Sequence, residues 1–407
     1  MSELISEESP LTREDLFGPP GPGEVARIRE VGRISRLRFA DGHIGWVVTG
    51  HRQVREVLSS PKFTTGPDKH HPLDLRFHRV SSDGKTEHKV APGTFLRQDP
   101  PEHTRLRKLL QGQFTVRRMN QLSVWIGEIV DDRLAHMRSL GGRANLVEEF
   151  ALPVPSLVIC ALLGVDYDDR HRFQDDTVKM LSLETSPEET LEALARIQLF
   201  MRELVARKKA APGGDDILSD LLATGGPTDE EATNMAMLLL LAGHETTANM
   251  LGLGTFTLLR HPAQLEILKN EPEVIDNAVE ELMRYLSIIR FGPLRTATED
   301  VEIDGHLIKA GDTMLMHVPA ANRDPDRFPG DPEALDLRRP ASGHVGFGHG
   351  IHQCLGQQLA RIEMRIGFTR LFQEFPDLRL DIEPEDVPMR ENMGVYGVHS
   401  LPVAWSV

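Results

Sequence analysis

Apolar positions recur at helical spacing over most of the chain, with short alternating stretches near its start and in its second half. The pattern predicts helices over about 51–59, 101–112, 117–139, 149–164, 168–183, 187–208 and 215–223, divided by weak breakers such as Gly141-Gly142, Gly164 and Ser186-Pro187. The clearest helix runs from Asp229 to about Arg260. Thr228 and Glu231 have capping-box spacing, and Pro262 follows its end. It is apolar nearly all round its middle, which predicts a core-crossing helix roughly 45–50 Å long. Two more helices are expected from Pro272 to about Ser287 and from about Leu355 to Phe375. Strands are expected at about 33–40 and 44–48, joined by an Asp41-Gly42 turn, then at 294–297, 301–303, 313–317 and in the tail 396–406. Residues 1–30, rich in Pro, Gly and acid, read as an extended lead-in. Residues 63–95 form a long polar loop, of a length that is usually functional. Residues 322–346 read as irregular. Helix dominates, with a minor sheet.

Composition adds limits. The chain has 407 residues, 40% hydrophobic and 26% charged, as in ordinary soluble globular proteins. Lys and Arg number 46 against 61 Asp and Glu, a net charge of −15, which argues against nucleic acid as a partner. Two cysteines, Cys160 and Cys354, cannot build a disulfide framework and suit a reducing compartment. The acidic start MSELISEESP is not a signal peptide. The longest apolar run, Met235 to Ala242, falls far short of the roughly 20 residues that cross a bilayer. A cytoplasmic protein without membrane contact is expected.

The sharpest local chemistry is the run Phe347-Gly348-His349-Gly350-Ile351-His352-Gln353-Cys354-Leu355-Gly356, which opens the last long helix. Amides and the positive dipole end at a helix start favour a thiolate at Cys354. Gly348, Gly350 and Gly356 clear space for a large flat ligand, on which Phe347 could pack. A single thiolate suits haem iron, whereas zinc needs four ligands. A buried structural cysteine after a glycine-rich turn is the competing reading of these residues.

This loop resembles the haem-binding loop of the cytochrome P-450 family of haem-thiolate monooxygenases, and the family's other landmarks follow in order over about residues 30–405. The resemblance implies a mainly α fold, a triangular helical prism with a small β-rich region. Residues 1–407 would form one such domain, with 1–30 as lead-in. Haem b would lie between the long central helix and the helix after the cysteine loop, with Cys354 as its metal ligand.

The other landmarks gain meaning beside that loop. Ala242-Gly243-His244-Glu245-Thr246-Thr247 interrupts the long helix with a glycine, and it sets an acid beside an alcohol, as proton delivery to dioxygen requires. It resembles the family's oxygen-binding stretch, with Thr246 and Glu245 catalytic, Ala242 and Gly243 against the cofactor and His244 structural. The alternative is a Thr bonded back to a carbonyl and a solvated Glu. Glu281 and Arg284 share a helix face. They resemble the family's E-x-x-R pair, which holds the cysteine loop in register through a third residue, Arg339 in first place and Arg338 in second. His103, Arg107, Arg295 and His352 resemble the family's contacts to the haem propionates. The basic residues Arg105, Lys108, Arg117 and Arg118 would face an acidic ferredoxin, with solvated charge as the bland reading. His70, His71, His78 and His88 in the long loop read as solvated surface histidines rather than a metal site.

The resemblance implies insertion of one oxygen atom from O2 into a hydrophobic small molecule, in secondary metabolism or xenobiotic oxidation. Electrons would come from a separate ferredoxin and ferredoxin reductase, and a monomer is expected. Pocket-lining residues would include Leu239, Ala242, Gly243, Thr247, Ile289, Phe291 and Val395. Arg76, Arg79, Lys85 and Lys89 offer charge for an acidic substrate, or ordinary loop solvation. The rivals are a haem-thiolate peroxygenase or isomerase, a non-catalytic relative, and a helical protein that binds small molecules.

Overall fold

The computed structural model describes residues 11–12, 16, 22–73, 90–290 and 292–407. The N-terminal part is helix α1 (Pro22–Glu30), then strands β1 (Ile34–Arg38) and β2 (Ile44–Val48), helix α2 (His51–Ser59) and the short β3 (Phe63–Thr64). The helical body follows: α3 (Glu102–Gln111), α4 (Val116–Ser139), α5 (Pro153–Leu163), α6 (Gln174–Leu181), α7 (Pro187–Ala210), α8 (Ile217–Ala223), α9 (Asp229–Arg260), α10 (Pro262–Asn270) and α11 (Ile275–Leu286), with β4 (Arg143–Asn145) between α4 and α5. The rest of the chain holds β5 (Leu294–Ala297), β6 (Val301–Ile303), β7 (His306–Ile308), β8 (Thr313–Met316), α12 (Val318–Ala321), α13 (Gln357–Glu374), β9 (Arg379–Leu380) and β10 (Pro402–Ala404).

The main sheet has the order β1-β2-β8-β5-β3. β1 and β2 form the expected hairpin, with Ile34 opposite Val48 and Arg38 opposite Ile44. β2 runs parallel to β8, while β5 is antiparallel to both β8 and β3. α9 is the axis of the helical body and packs against α5, α7 and α13. One core cluster gathers Phe150, Leu251, Leu282 and Phe368, and a second gathers Ile126, Phe200, Leu240 and Ile362. Both draw on α9, as its all-round apolar middle requires.

The differences from the sequence pattern have local causes. The lead-in contains α1. Pro262 does not end the helical run: it is the first residue of α10, where a missing amide costs nothing, and His261 alone makes the bend. The tail pairs as strand over only three residues. The capping box is formed: the Thr228 hydroxyl accepts from the Glu231 amide at 3.2 Å, and the Glu231 carboxylate accepts from the Thr228 amide at 2.8 Å.

The join between the sheet and α12 is sensitive to acid. His317 is 3% exposed, and its Nδ1 accepts from the Ala320 amide at 3.2 Å. Burial pushes its pKa down to about 4, against a smaller upward pull from its bond to the Leu16 carbonyl. The unfolded chain therefore takes up this proton first as pH falls below the ordinary 6.5. The stabilisation is complete above that value and is lost between there and about 4. From pH 7 to pH 5 His317 contributes a loss of about 2 kcal/mol in unfolding free energy. Urea titrations at the two pH values should show a smaller loss in His317→Gln; an unchanged pH dependence would remove His317 as a cause.

Candidate active site

The cysteine loop is shaped by its glycines and by what packs behind it. Gly350 has φ +72°, and a Cβ there would collide with the Leu58 carbonyl of α2. A Cβ on Gly356 would meet nothing within 4 Å, so the space above it is open. The Cys354 amide donates to the Phe347 carbonyl at 2.9 Å, closing the loop. Phe347 carries the Arg361 guanidinium 4.4 Å from its ring centroid. Arg361 is fixed by a two-point contact with Glu280, at 2.5 and 3.0 Å, and His344 sits 3.3 Å from the same carboxylate. Burial works against ionisation of Glu280, but His344 and Arg361 outweigh it and hold the carboxyl at about 2.

Cys354 is a free, exposed thiol, yet the surrounding protein desolvates it. Both hold only if the sulfur opens into an interior cavity. Burial pushes the thiol up; the Gly356 amide, Arg107 and Arg361 pull it down less strongly. The helix start alone therefore does not make the thiolate that the sequence suggests. A metal cation at the sulfur would supply the remaining positive charge.

The long helix shows a matching open face. Leu238, Leu241, Gly243 and Thr246 are half-exposed and Ala242 is exposed, halfway along an otherwise buried helix. Residues 238, 242 and 246 share one helix face, so that face lines a void. The Thr246 hydroxyl lies on it and donates to the Ala242 carbonyl at 2.7 Å. A Cβ on Gly243 would come 3.0 Å from Ile159, so this glycine lets α5 approach α9.

Glu245 does not share that face. It is 1% exposed, 2.9 Å from Arg390 Nη2 and 3.3 Å from Asn249 Nδ2. The acid and the alcohol are neighbours in sequence but do not bond to each other. The solvated-Glu alternative is corrected: an ion pair in the core replaces solvent, held by the segment ending in β10. His244 is buried against the edge of Phe173.

A cluster of cations lies beside the cysteine loop. The rings of His103 and His352 are 4.2 Å apart, and none of their four nitrogens has a hydrogen-bond partner. Burial and then Arg107 push His103 down, and burial, then His103 and Arg295, push His352 down to about 3. Arg107 donates to the Gln353 carbonyl at 2.6 Å. Arg295 is pushed down to about 10 by burial and donates to the Leu294 carbonyl at 2.7 Å. Buried donors without acceptors are costly, and carboxylates would satisfy these. The orphaned ring nitrogens, the open space over Gly356 and the accessible thiol fit a flat, two-carboxylate metal macrocycle such as haem.

Behind the loop, Glu281 and Arg284 are fully buried. Arg284 Nε and Nη2 contact the two Glu281 oxygens at 2.7 and 2.8 Å. Arg339 Nε reaches Glu281 at 3.3 Å, and the Asp336 amide donates to the same carboxylate at 3.0 Å. Arg284 also donates to the carbonyls of Asn322 and Pro332, so the irregular stretch is tied to α11. Arg338 instead pairs with Glu271 at the surface.

Other expectations change. His70 is not a solvated surface histidine: its Nδ1 lies 2.8 Å from the Thr296 hydroxyl, and burial pushes it down to about 4. His71 stacks on His43 at 3.5 Å and lies 2.7 Å from Asp41. His78, His88, Arg76, Arg79, Lys85, Lys89 and Phe291 lie outside the described residues. Arg105 pairs with Glu102 and Glu231, and Arg118 with Asp220 at 2.9 Å, so the basic face is partly neutralised. Leu239, Thr247 and Val395 are buried, and Ile289 bridges Val395. The sequence reading missed Arg390, Arg361, Glu280 and Arg97. Only Arg97 left a signal, a basic residue in the run that leads to His103 and Arg107.

No helix among the described residues is long and apolar enough to cross a membrane. Residues 75–406 match the family model for cytochrome P450. Cytochrome P450 105C1 of a Streptomyces species is 44% identical over 98% of this chain and all of its own length. Cytochrome P450-SU2 of Streptomyces griseolus is 44% identical over 96% of this chain and 94% of its own. The crystal structure of CYP105P1 in complex with filipin I superposes with a TM-score of 0.87, at 42% identity, over 98% of each chain. The open thiol, the buried ion-pair lock behind it and these full-length likenesses agree, and the chain belongs to the cytochrome P450 family, as a haem monooxygenase.

Proposed function

We propose that this enzyme inserts one oxygen atom from O2 into a hydrophobic small molecule, with haem b held by Cys354. The observation that carries this reading is the accessible but enclosed thiol at the start of α13. Haem held by this thiolate would supply the oxygen-activating chemistry. His103, Arg107, Arg295 and His352 bind its carboxylates, and Phe347, Gly348 and Gly356 shape the face that receives it. Ala242 and Gly243 form part of the opposite wall. Leu239, Thr247, Ile289 and Val395, with half-exposed Leu238 and Leu241, give the substrate a largely apolar surface that excludes water. The structure of a relative, CYP105P1, in complex with filipin I supports a small organic molecule as the substrate class.

Protons are handled by α9. The Thr246 hydroxyl holds its proton against the Ala242 carbonyl and keeps an oxygen lone pair towards the cavity. Glu245 passes protons to it from solvent: once free of Arg390, its carboxylate takes up a proton from water and hands it on to Thr246. Electrons come from a separate ferredoxin and its reductase. A groove lined by Met119, Asp276, Glu280, Arg361 and Arg365 offers a docking face behind the cysteine loop. The protein works as a cytoplasmic monomer.

Thr246→Ala tests the proton role. Substrate affinity, read from the spin-state shift, should stay within about twofold. Product formed per NADPH consumed should fall about a hundredfold, at the low end of what general acid–base groups contribute, with peroxide or water making up the difference. Unchanged coupling would leave Thr246 a packing residue.

A further inference from the structure

The cation cluster in the cavity holds one charge that the family resemblance does not assign. Arg97 ends a single 3-10 turn, Phe95–Arg97, just before α3. The turn is held from both sides. Asn234 of α9 donates to the Pro92 carbonyl at 2.8 Å, and a Cβ on Gly93 would press on the backbone of Glu231. On the other side, Phe95 is 5% exposed, with its ring 6.4 Å from that of His103. The backbone carrying Arg97 is therefore fixed beside the histidine pair.

The Arg97 side chain is accessible, yet burial lowers its basicity, the combination also seen at Cys354. It faces enclosed space rather than bulk water. Among the described residues no carboxylate pairs with it. Asp99, two residues on, is already used: its carboxylate accepts from the Thr65 amide at 3.0 Å, from the Thr65 hydroxyl at 3.2 Å and from the Thr64 hydroxyl. Arg97 and Arg295 both act electrostatically on His70, which places all three in one field.

Three guanidiniums, those of Arg97, Arg107 and Arg295, meet here, and among the described residues none is paired with a carboxylate: Arg107 and Arg295 reach only the carbonyls of Gln353 and Leu294. A ligand bearing two carboxylates would answer them, since uncompensated buried charge is costly.

We propose that Arg97 is a fifth member of the clamp on the haem carboxylates, a binding residue whose guanidinium is held beside the histidine pair with no carboxylate to answer it among the described residues. This rests on the haem reading above. A guanidinium offers two parallel donors to a carboxylate, which a lysine does not.

The test measures haem transfer from the purified holoprotein to excess apomyoglobin. Arg97→Gln should lose haem about tenfold faster, the expected loss from one charge-assisted contact. Arg97→Lys should recover part of that. Arg52→Gln, at an exposed ion pair with Asp304, should not differ from the parent. The same proteins reconstituted with haem dimethyl ester, which lacks the charged carboxylates, should lose it at equal rates. Equal rates for Arg97→Gln and parent with ordinary haem would overturn the proposal, as would a difference that persists with the ester. If only the spin-state titration of a fatty acid weakened, and not that of its amide, Arg97 would bind a substrate carboxylate and the haem assignment would fall. A parent protein that took up no haem would overturn the haem reading itself, and Arg97 with it.

Discussion

Cys354→Ala is expected to give a folded protein that lacks, after dithionite and carbon monoxide, the strongly red-shifted Soret band of a thiolate-ligated haem. The sulfur faces an opening rather than a packed wall, so its removal leaves the core intact. The loop is closed by backbone, the Cys354 amide on the Phe347 carbonyl, and an alanine keeps that bond. Monooxygenase turnover should fall at least a thousandfold, about 4 kcal/mol of barrier, because no other group at that position can donate electrons to the metal. Cys160→Ala is the control. That thiol is 1% exposed within α5, so its loss should cost stability but leave the spectrum and turnover in place. Retained turnover in Cys354→Ala would refute the ligand assignment.

Glu281→Gln is expected to be the most destabilising single change away from the cavity. One fully buried carboxylate answers two guanidiniums, Arg284 and Arg339, and receives the Asp336 amide as well. Neutralising it leaves both cations buried without a counter-charge. Breaking a buried pair in this way costs about 3–5 kcal/mol. At the unfolding entropy of a chain this long, that lowers Tm by about 5 °C. Arg284→Lys should fail similarly, since an ammonium cannot make the two-point contact and also reach the carbonyls of Asn322 and Pro332. The loss should extend to haem content, because the cysteine loop begins where the tethered stretch ends. Calorimetry and the haem-to-protein absorbance ratio measure the two effects. A Tm within a degree of the parent would show that the lock carries no net stability.

Much of this was legible in one dimension because it is local. The capping box at Thr228 and Glu231, the β1–β2 hairpin and the cysteine-glycine loop each depend on residues a few positions apart, and each forms where its pattern stands. The i, i+3 spacing of Glu281 and Arg284 likewise sets both side chains on one face of α11. What spacing cannot carry is the surroundings of a side chain. Glu245 and Thr246 are adjacent, yet one turns into the core to meet Arg390 from far along the chain, and the other lines the cavity. His70 looked like loop solvent and is packed against β5. Arg118 looked like free basic surface and is spent on Asp220. The thiol of Cys354 is governed more by desolvation than by the helix start beside it. Arg97 gains its meaning from the guanidiniums that three separate segments bring together without a carboxylate partner among the described residues. The sequence by itself determined the elements, the loop that can ligate a metal and the faces of α9 and α11. The tertiary structure decided which charges are paired, which are left over and where the empty space lies, because burial and long-range pairing set those energies.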